Sequence, residues 1–123
     1  MVSERDGRLR LRVLFEPGIV LGPGKADLLE GIRATGSISA AGRRMRMSYK
    51  RAWDLVVALN GYFDTPVVQT SKGGSGGGGA SLTPFGEQVL AAYRRIEAKS
   101  AQVAADELAW LRDRLSHDGG APS

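Results

Sequence analysis

Residues 37–60 read SISAAGRRMRMSYKRAWDLVVALN, and the fold is decided there. Ser37 or Ser39 can cap a short helix over residues 37–47, because a hydroxyl accepts from the free N–H groups of a first helical turn. Within it Ala40, Ala41 and Met45 are small or apolar at helical spacing. A short turn at Arg46 and Met47 follows. Ser48 then caps a second helix, YKRAWDLVVALN, which should end before Gly61. Its apolar stripe is Ala52, Val56 and Leu59, with Tyr49 and Trp53 on the flank and Lys50, Arg51 and Asp54 pointing elsewhere. Two short helices a few residues apart, with small residues at their contact and cations on the second, make a helix-turn-helix pattern. The small residues let the helices cross closely, and the cations suit the second helix to phosphates.

Outward toward the N-terminus, LRLRVLF at 9–15 alternates, with Leu9, Leu11, Val13 and Phe15 on one face and Arg10 and Arg12 on the other. That is the period of a half-buried strand, and Pro17-Gly18 ends it. Gly22-Pro23-Gly24 opens a helix with the stripe Leu28, Leu29 and Ile32, and Gly36 closes it where a left-handed residue is wanted. Outward toward the C-terminus, PVVQT at 66–70 and ASL at 80–82 read as two short strands around the loop SKGGSGGGG, a β-hairpin with Lys72 near its tip. Glycine there lets the backbone take positive φ and come close to a partner. Thr83-Pro84 starts a last helix expected to run to about residue 115, a rod of roughly 48 Å. Its seam is Val89, Tyr93, Ile96, Val103, Leu108, Leu111 and Leu115, with Trp110 off the seam. Part of that seam should close the core and the rest should meet a second copy in a two-fold homodimer. The expected fold is mainly α with a small β-hairpin wing. A winged helix-turn-helix spans 1–83, with the helix pair at about 37–60 and the wing at about 66–83. A long dimerisation helix spans 84–116, and 117–123 form a disordered tail.

Composition narrows the function classes. The chain has 123 residues, 17 Lys+Arg against 13 Asp+Glu, and a net charge of +4. That length fits one domain and leaves no room for a two-domain enzyme of usual size. Absence of Cys removes disulfides, thiolate zinc sites and cysteine nucleophiles. His117 is the only histidine, which disfavours multi-histidine metal clusters and histidine-centred triads. No run approaches the roughly 20 apolar residues of a membrane span. The charged N-terminus, MVSERDGRLR, does not resemble a secretory signal, so a cytoplasmic protein is expected. Residues 1–80 hold 12 Lys/Arg and 7 Asp/Glu, whereas residues 81–123 hold 5 and 6. The excess peaks at RRMRMSYKR, 43–51, with five cations and no anion. Such a field attracts polyanions.

A nucleotide-binding enzyme is the first rival. Residues 74–79 formally match GxGxxG, but any polyglycine does, and no helix opens directly on the loop. Gly24-Lys25 resembles the end of a P-loop, yet Ala26 stands where Ser or Thr must hold magnesium and Ile19 where the first glycine belongs. No enzyme, cofactor or metal is expected. A flexible linker at GGSGGGG is argued against by its strand-like flanks and by the capped helix after it.

The sequence resembles the N-terminal DNA-binding domain of the ModE-type, molybdenum-dependent transcriptional regulators, themselves relatives of LysR-type winged helices. The matching stretches are GPGKADLLEGI at 22–32, TGSISAAGRRMRMSYKRAWDL at 35–55 and GGSGGGGASLTPFG at 73–86, with the helix after them. The resemblance implies a winged helix-turn-helix that dimerises through its last helix and binds operator DNA. Full-length members carry C-terminal molybdate-binding domains that the 123 residues lack, so no small-molecule effector is evident in this chain. Two positions depart from the family: Arg46 stands at a usual glycine and Gly42 at a usual alanine. Each change costs about 1 kcal/mol of local stability.

The fold so implied assigns roles. The second helix of the pair enters the major groove by its first turn. Ser48 brings its hydroxyl and the helix N–H groups near phosphate. Tyr49, Lys50 and Arg51 lie in that turn, with Arg51 pairing guanine O6 and N7. Asp54 accepts from cytosine N4 or orients Arg51 or Lys50. Arg43 and Arg44 hold phosphates, and Arg46 adds a cation beside them. Lys72, Gly73 and Gly74 track the adjacent minor groove or backbone. A two-fold dimer presents its reading helices about 34 Å apart and so prefers a near-palindromic operator. The remaining alternatives are a winged-helix protein-interaction module and a DNA-binding subunit dependent on a separate sensor protein.

Overall fold

The computed structural model describes residues 9–72 and 79–116. Its first element is a hairpin: β1 (Val13–Phe15) pairs antiparallel with β2 (Ile19–Leu21), Val13 opposite Leu21 and Phe15 opposite Ile19. Gly18 turns the chain at φ 86°. The sequence predicts a single strand over 9–15 closed by Pro17-Gly18. The turn is there, but it sends back a partner strand too short to show a period. Leu9, Leu11 and Val13 are half-buried, whereas Phe15, expected on the same face, sits beside the turn and is exposed.

α1 (Pro23–Thr35) begins with Pro at its first turn and ends at Gly36, whose φ of 72° lets its N–H reach the Ile32 carbonyl at 2.8 Å. α2 (Ile38–Arg44) is capped by Ser37, not Ser39, with Ser37 Oγ accepting from the Ala40 N–H at 3.0 Å. The helix stops at Arg44, three residues short of the expected end. Arg46 then takes φ 58°, a left-handed backbone no helix can continue. Ser48 caps α3 (Tyr49–Tyr62) by accepting from the Arg51 N–H. β3 (Val68–Ser71) and β4 (Gly79–Leu82) pair antiparallel, Val68 opposite Leu82 and Ser71 opposite Gly79. Residues 73–78, between them in the chain, lie outside the described residues.

The long terminal helix is the main correction. It is two helices, α4 (Pro84–Val103) and α5 (Ala105–Asp113), interrupted at Ala104. Asp106 and Glu107 stand in the first turn of α5, where carboxylates favour a new helix start. No residue of α5 is buried, so no packing enforces a straight continuation. Val89 and Tyr93, the first residues of the expected seam, are the part of it that lies in the core of this chain.

The molecule is therefore mostly helical with two small antiparallel sheets. Its core joins Leu28, Leu29 and Ile32 of α1, Ile38 and Ala41 of α2, and Ala52, Val56 and Leu59 of α3. Leu21, Val67, Val68, Leu82, Val89, Leu90 and Tyr93 belong to it too. Close helix crossings depend on absent side chains. A Cβ on Gly31 would stand 3.0 Å from the Ala41 Cβ, and one on Gly42 3.0 Å from the Ala52 Cβ. Gly42 thus marks the tightest point between α2 and α3. Asn60 fastens the end of α3 to the second sheet. Its Oδ1 accepts from the Val67 and Val68 N–H groups at 2.8 and 3.0 Å, and its Nδ2 donates to the Val68 carbonyl at 3.1 Å. Thr83 Oγ1 accepts from the Gly86 N–H and donates to the Pro66 carbonyl, so the cap of α4 also ties it to the segment leading into β3. At the other end Tyr93 donates to the Leu11 carbonyl at 2.6 Å. Burial, and next the charge of Glu97, push its phenol above the usual range. Arg94 gathers Asp27, Glu30 and Glu97 at 2.9, 3.1 and 2.9 Å, joining α4 to α1. No described helix is long and apolar enough to cross a membrane.

Candidate nucleic-acid interface

α3 buries Ala52, Val56 and Leu59, a four-and-three spacing that fixes one face against the core. The helical period then places Lys50, Asp54 and Val57 on the face pointing away from it. All three are exposed, and Val57 is 55% accessible, high for an aliphatic side chain in mid-helix. Lys50 Nζ lies 2.9 Å from Asp54 Oδ2, a pair one turn apart. Asp54 therefore orients Lys50 and not Arg51.

Tyr49 and Trp53 form the flank of α3 nearer the β3–β4 hairpin. Their rings stack with centroids 6.4 Å apart and planes 18° apart, and both are substantially exposed. They form one wall of a cleft of about 240 Å³ whose other side includes Ser37 and Ser39 of the α2 start and Thr70 and Ser71 of β3. Among the described residues no charged side chain lines it. Arg43 donates to Ser39 Oγ at 2.8 Å and so stands at its edge. The spacing of Tyr49 and Trp53, one turn apart, was readable in the sequence. The hydroxyls opposite were not, because they arrive from other segments, the start of α2 and β3.

The remaining expected contacts divide. Arg46 is exposed in the turn before α3, and Ser48 is spent on the helix cap. Lys72 is exposed at the end of β3, while Gly73 and Gly74 lie outside the described residues. Arg44 does not join the outward face: it lines a hollow with Asp27 and Glu30 of α1, whose charge opposes any role toward phosphate. Arg51 turns to the flank of α3 opposite Tyr49 and Trp53, beside Arg12 and Lys25. Those two cations were not singled out as contacts in the sequence. Among the described residues no group of three or more His, Cys, Asp or Glu could hold a metal.

Comparison with known proteins gives three informative matches. The chain is 48% identical over 99 residues to the molybdenum-pterin-binding protein MopB of Rhodobacter capsulatus, covering 80% of this chain and 37% of that protein. It is 35% identical over 105 residues to the DNA-binding transcriptional dual regulator ModE of Escherichia coli (strain K12), covering 83% and 40%. It is 31% identical over 93 residues to the transcriptional regulator ModE of Haemophilus influenzae, covering 76% and 36%. The chain thus spans two fifths or less of the length of these curated relatives. No family model matches it.

Proposed function

We propose that this chain is the DNA-binding part of a ModE-type transcriptional regulator: a winged helix-turn-helix that binds duplex DNA as a homodimer and acts on molybdenum-related genes. The observation that carries this reading is the outward face of α3. It presents Lys50, Asp54 and Val57 to solvent, next to an aromatic cleft and a short hairpin, with Arg43, Arg46 and Arg51 exposed around it. A helix so presented has the size and polarity to enter a major groove. Kinship with two regulators named for transcription, one of them as DNA-binding, supports the same reading.

In this mechanism α3 lies in the major groove. Lys50 and Asp54 reach base edges, Lys50 donating to guanine O6 or N7 and Asp54 accepting from cytosine N4. Tyr49 and Trp53 meet the sugar–base edge on the hairpin side. Arg43, Arg46, Arg51 and Lys72 supply charge against phosphates, setting affinity and salt dependence. The exposed apolar residues beyond Tyr93, namely Ile96, Val103, Leu111 and Leu115, join two copies.

Selection of duplexes from a random library, followed by titration of the enriched and the random DNA, tests this function. The expected result is weak binding to random duplex and binding at least 1,000-fold tighter to a near-palindromic site, the order typical of specific recognition. Negligible binding to any duplex at low salt would leave α3 as the face of a protein-interaction module.

A further inference from the structure

On the flank of α3 away from the β3–β4 hairpin, three cations from three segments converge. Arg12 precedes β1, Lys25 lies in the first turn of α1, and Arg51 lies in the first turn of α3. All three line one half-open groove of about 270 Å³, with Met47 and Leu55 among its walls. Gly22 admits Arg12 to it, since a Cβ there would stand 3.1 Å from the Arg12 Cγ. The Lys25 ammonium is held over the Tyr62 ring, 5.6 Å from its centroid. Among the described residues no carboxylate lines the groove, and none of the three forms an ion pair. Arg94, Arg33 and Lys50, by contrast, are matched, the first to Asp27, Glu30 and Glu97, the second to Glu87 and the third to Asp54. Three like charges brought together without a counter-charge raise the local potential and favour an anion between them.

The anion follows from the dimensions of α3 and its groove. A helix with side chains is about 10–12 Å across, and the major groove about 12 Å wide. A helix filling that groove shows its outer face to base edges and its flanks to the two bordering phosphate strands. Arg51 is on a flank, and Arg12 and Lys25 stand beside it. Resting on the DNA reading of α3, we infer that Arg12, Lys25 and Arg51 form a phosphate clamp on one bordering strand of the same duplex. Arg51 then contributes affinity for any duplex and does not choose bases. The occupant is a phosphodiester strand because the groove is half open and its charges come from three separate segments.

The test uses the full chain with the library-selected duplex and with random duplex. Salt titrations compare wild type with Arg12→Ala, Lys25→Ala, Arg51→Ala and Arg51→Lys. Each alanine variant is expected to flatten the slope of log affinity against log salt by about 0.9, so that its loss between 50 and 200 mM salt is about 3.5-fold smaller than that of wild type. Selected and random duplexes should weaken by the same factor. Arg51→Lys should keep slope and specificity, since a phosphate accepts a point charge whereas bidentate pairing to guanine needs the fork. Unchanged slopes in all three alanine variants overturn the clamp while leaving the DNA reading standing. So does loss of specificity in Arg51→Lys, which would make Arg51 a base reader. Saturable binding of inorganic phosphate alone, abolished by the same variants, overturns it in favour of a discrete oxyanion site. Wild-type chain that binds no duplex overturns both readings. Thermal melting of each variant checks that an altered slope is not a folding defect.

Discussion

Arg46 holds φ 58° in the turn before α3, a conformation that costs a side-chain-bearing residue about 1 kcal/mol more than glycine. Arg46→Gly relieves that strain but frees the unfolded chain, so a net gain of about 0.5 kcal/mol, or roughly 2–4 °C in Tm, is expected. If Arg46 touches phosphate, the same variant binds duplex with a salt slope lower by about 0.9. Calorimetry and salt titration read the two effects separately. The left-handed position was legible from the family pattern at 46, because backbone demands of a tight turn are local. The direction of a side chain on α3 was less so. Arg51 and Lys50 are neighbours in sequence, and a helix sends neighbours about 100° apart. The stripe of Ala52, Val56 and Leu59, which the sequence shows and the structure buries, puts Lys50 opposite the core and Arg51 on a flank once the period is applied. Arg44 is the plainer case: its acidic surroundings, Asp27 and Glu30, lie on another helix and leave no trace beside it in the sequence.

Among the elements, caps and closures were the most readable features. Ser37, Ser48 and Thr83 cap, and Gly36 closes α1, because each acts on backbone groups within a few residues. The β1–β2 hairpin and the interruption at Ala104 were not readable, one being three residues per strand and the other set by the lack of any partner layer over α5. Asn60 supplies the join between α3 and the second sheet. Asn60→Ala strips the Val67 and Val68 N–H groups of their acceptor in a buried setting and should cost about 2–3 kcal/mol, seen as a lower denaturant midpoint. Tyr93 makes the corresponding join between α4 and the N-terminal segment. Its phenol is raised above 10.0 in the folded chain, so its neutral form is favoured there. That contribution is complete below the unfolded value and is lost as pH rises through the folded one. Tyr93→Phe should cost about 1 kcal/mol at neutral pH, from the orphaned Leu11 carbonyl, and should make the alkaline decline above pH 10 shallower. An unchanged decline in the variant would assign it to other groups.

At the scale of the whole molecule, one run of exposed apolar side chains lies along the C-terminal segment, from Ile96 to Leu115. Val103 is 83% accessible, and Trp110, Leu111 and Leu115 each exceed half. Aliphatic residues left this open on consecutive helices fit a surface that a second copy covers. Leu111→Asp, which appears twice in a two-fold dimer, should weaken self-association at least about 100-fold, since each leucine contributes at least about 1.5 kcal/mol on burial. Sedimentation should then show the monomer mass, with any duplex affinity reduced and melting of the core around Leu28, Val56 and Leu90 unchanged. A wild-type chain that sediments as a monomer at micromolar concentration would refute the assignment.

The Lys50–Asp54 pair carries a consequence of its own. On the proposed reading α3 meets a polyanion, and a carboxylate at the centre of its face is repelled by almost everything it would meet there, tolerating only a donor such as the cytosine amino group. Discrimination then works by refusal: indifferent sequence is held less tightly than it would be by a purely cationic helix, which shortens each stop along the polymer. Asp54→Ala should accordingly tighten random-duplex binding several-fold and narrow the gap to the selected site, a trade of fidelity for grip.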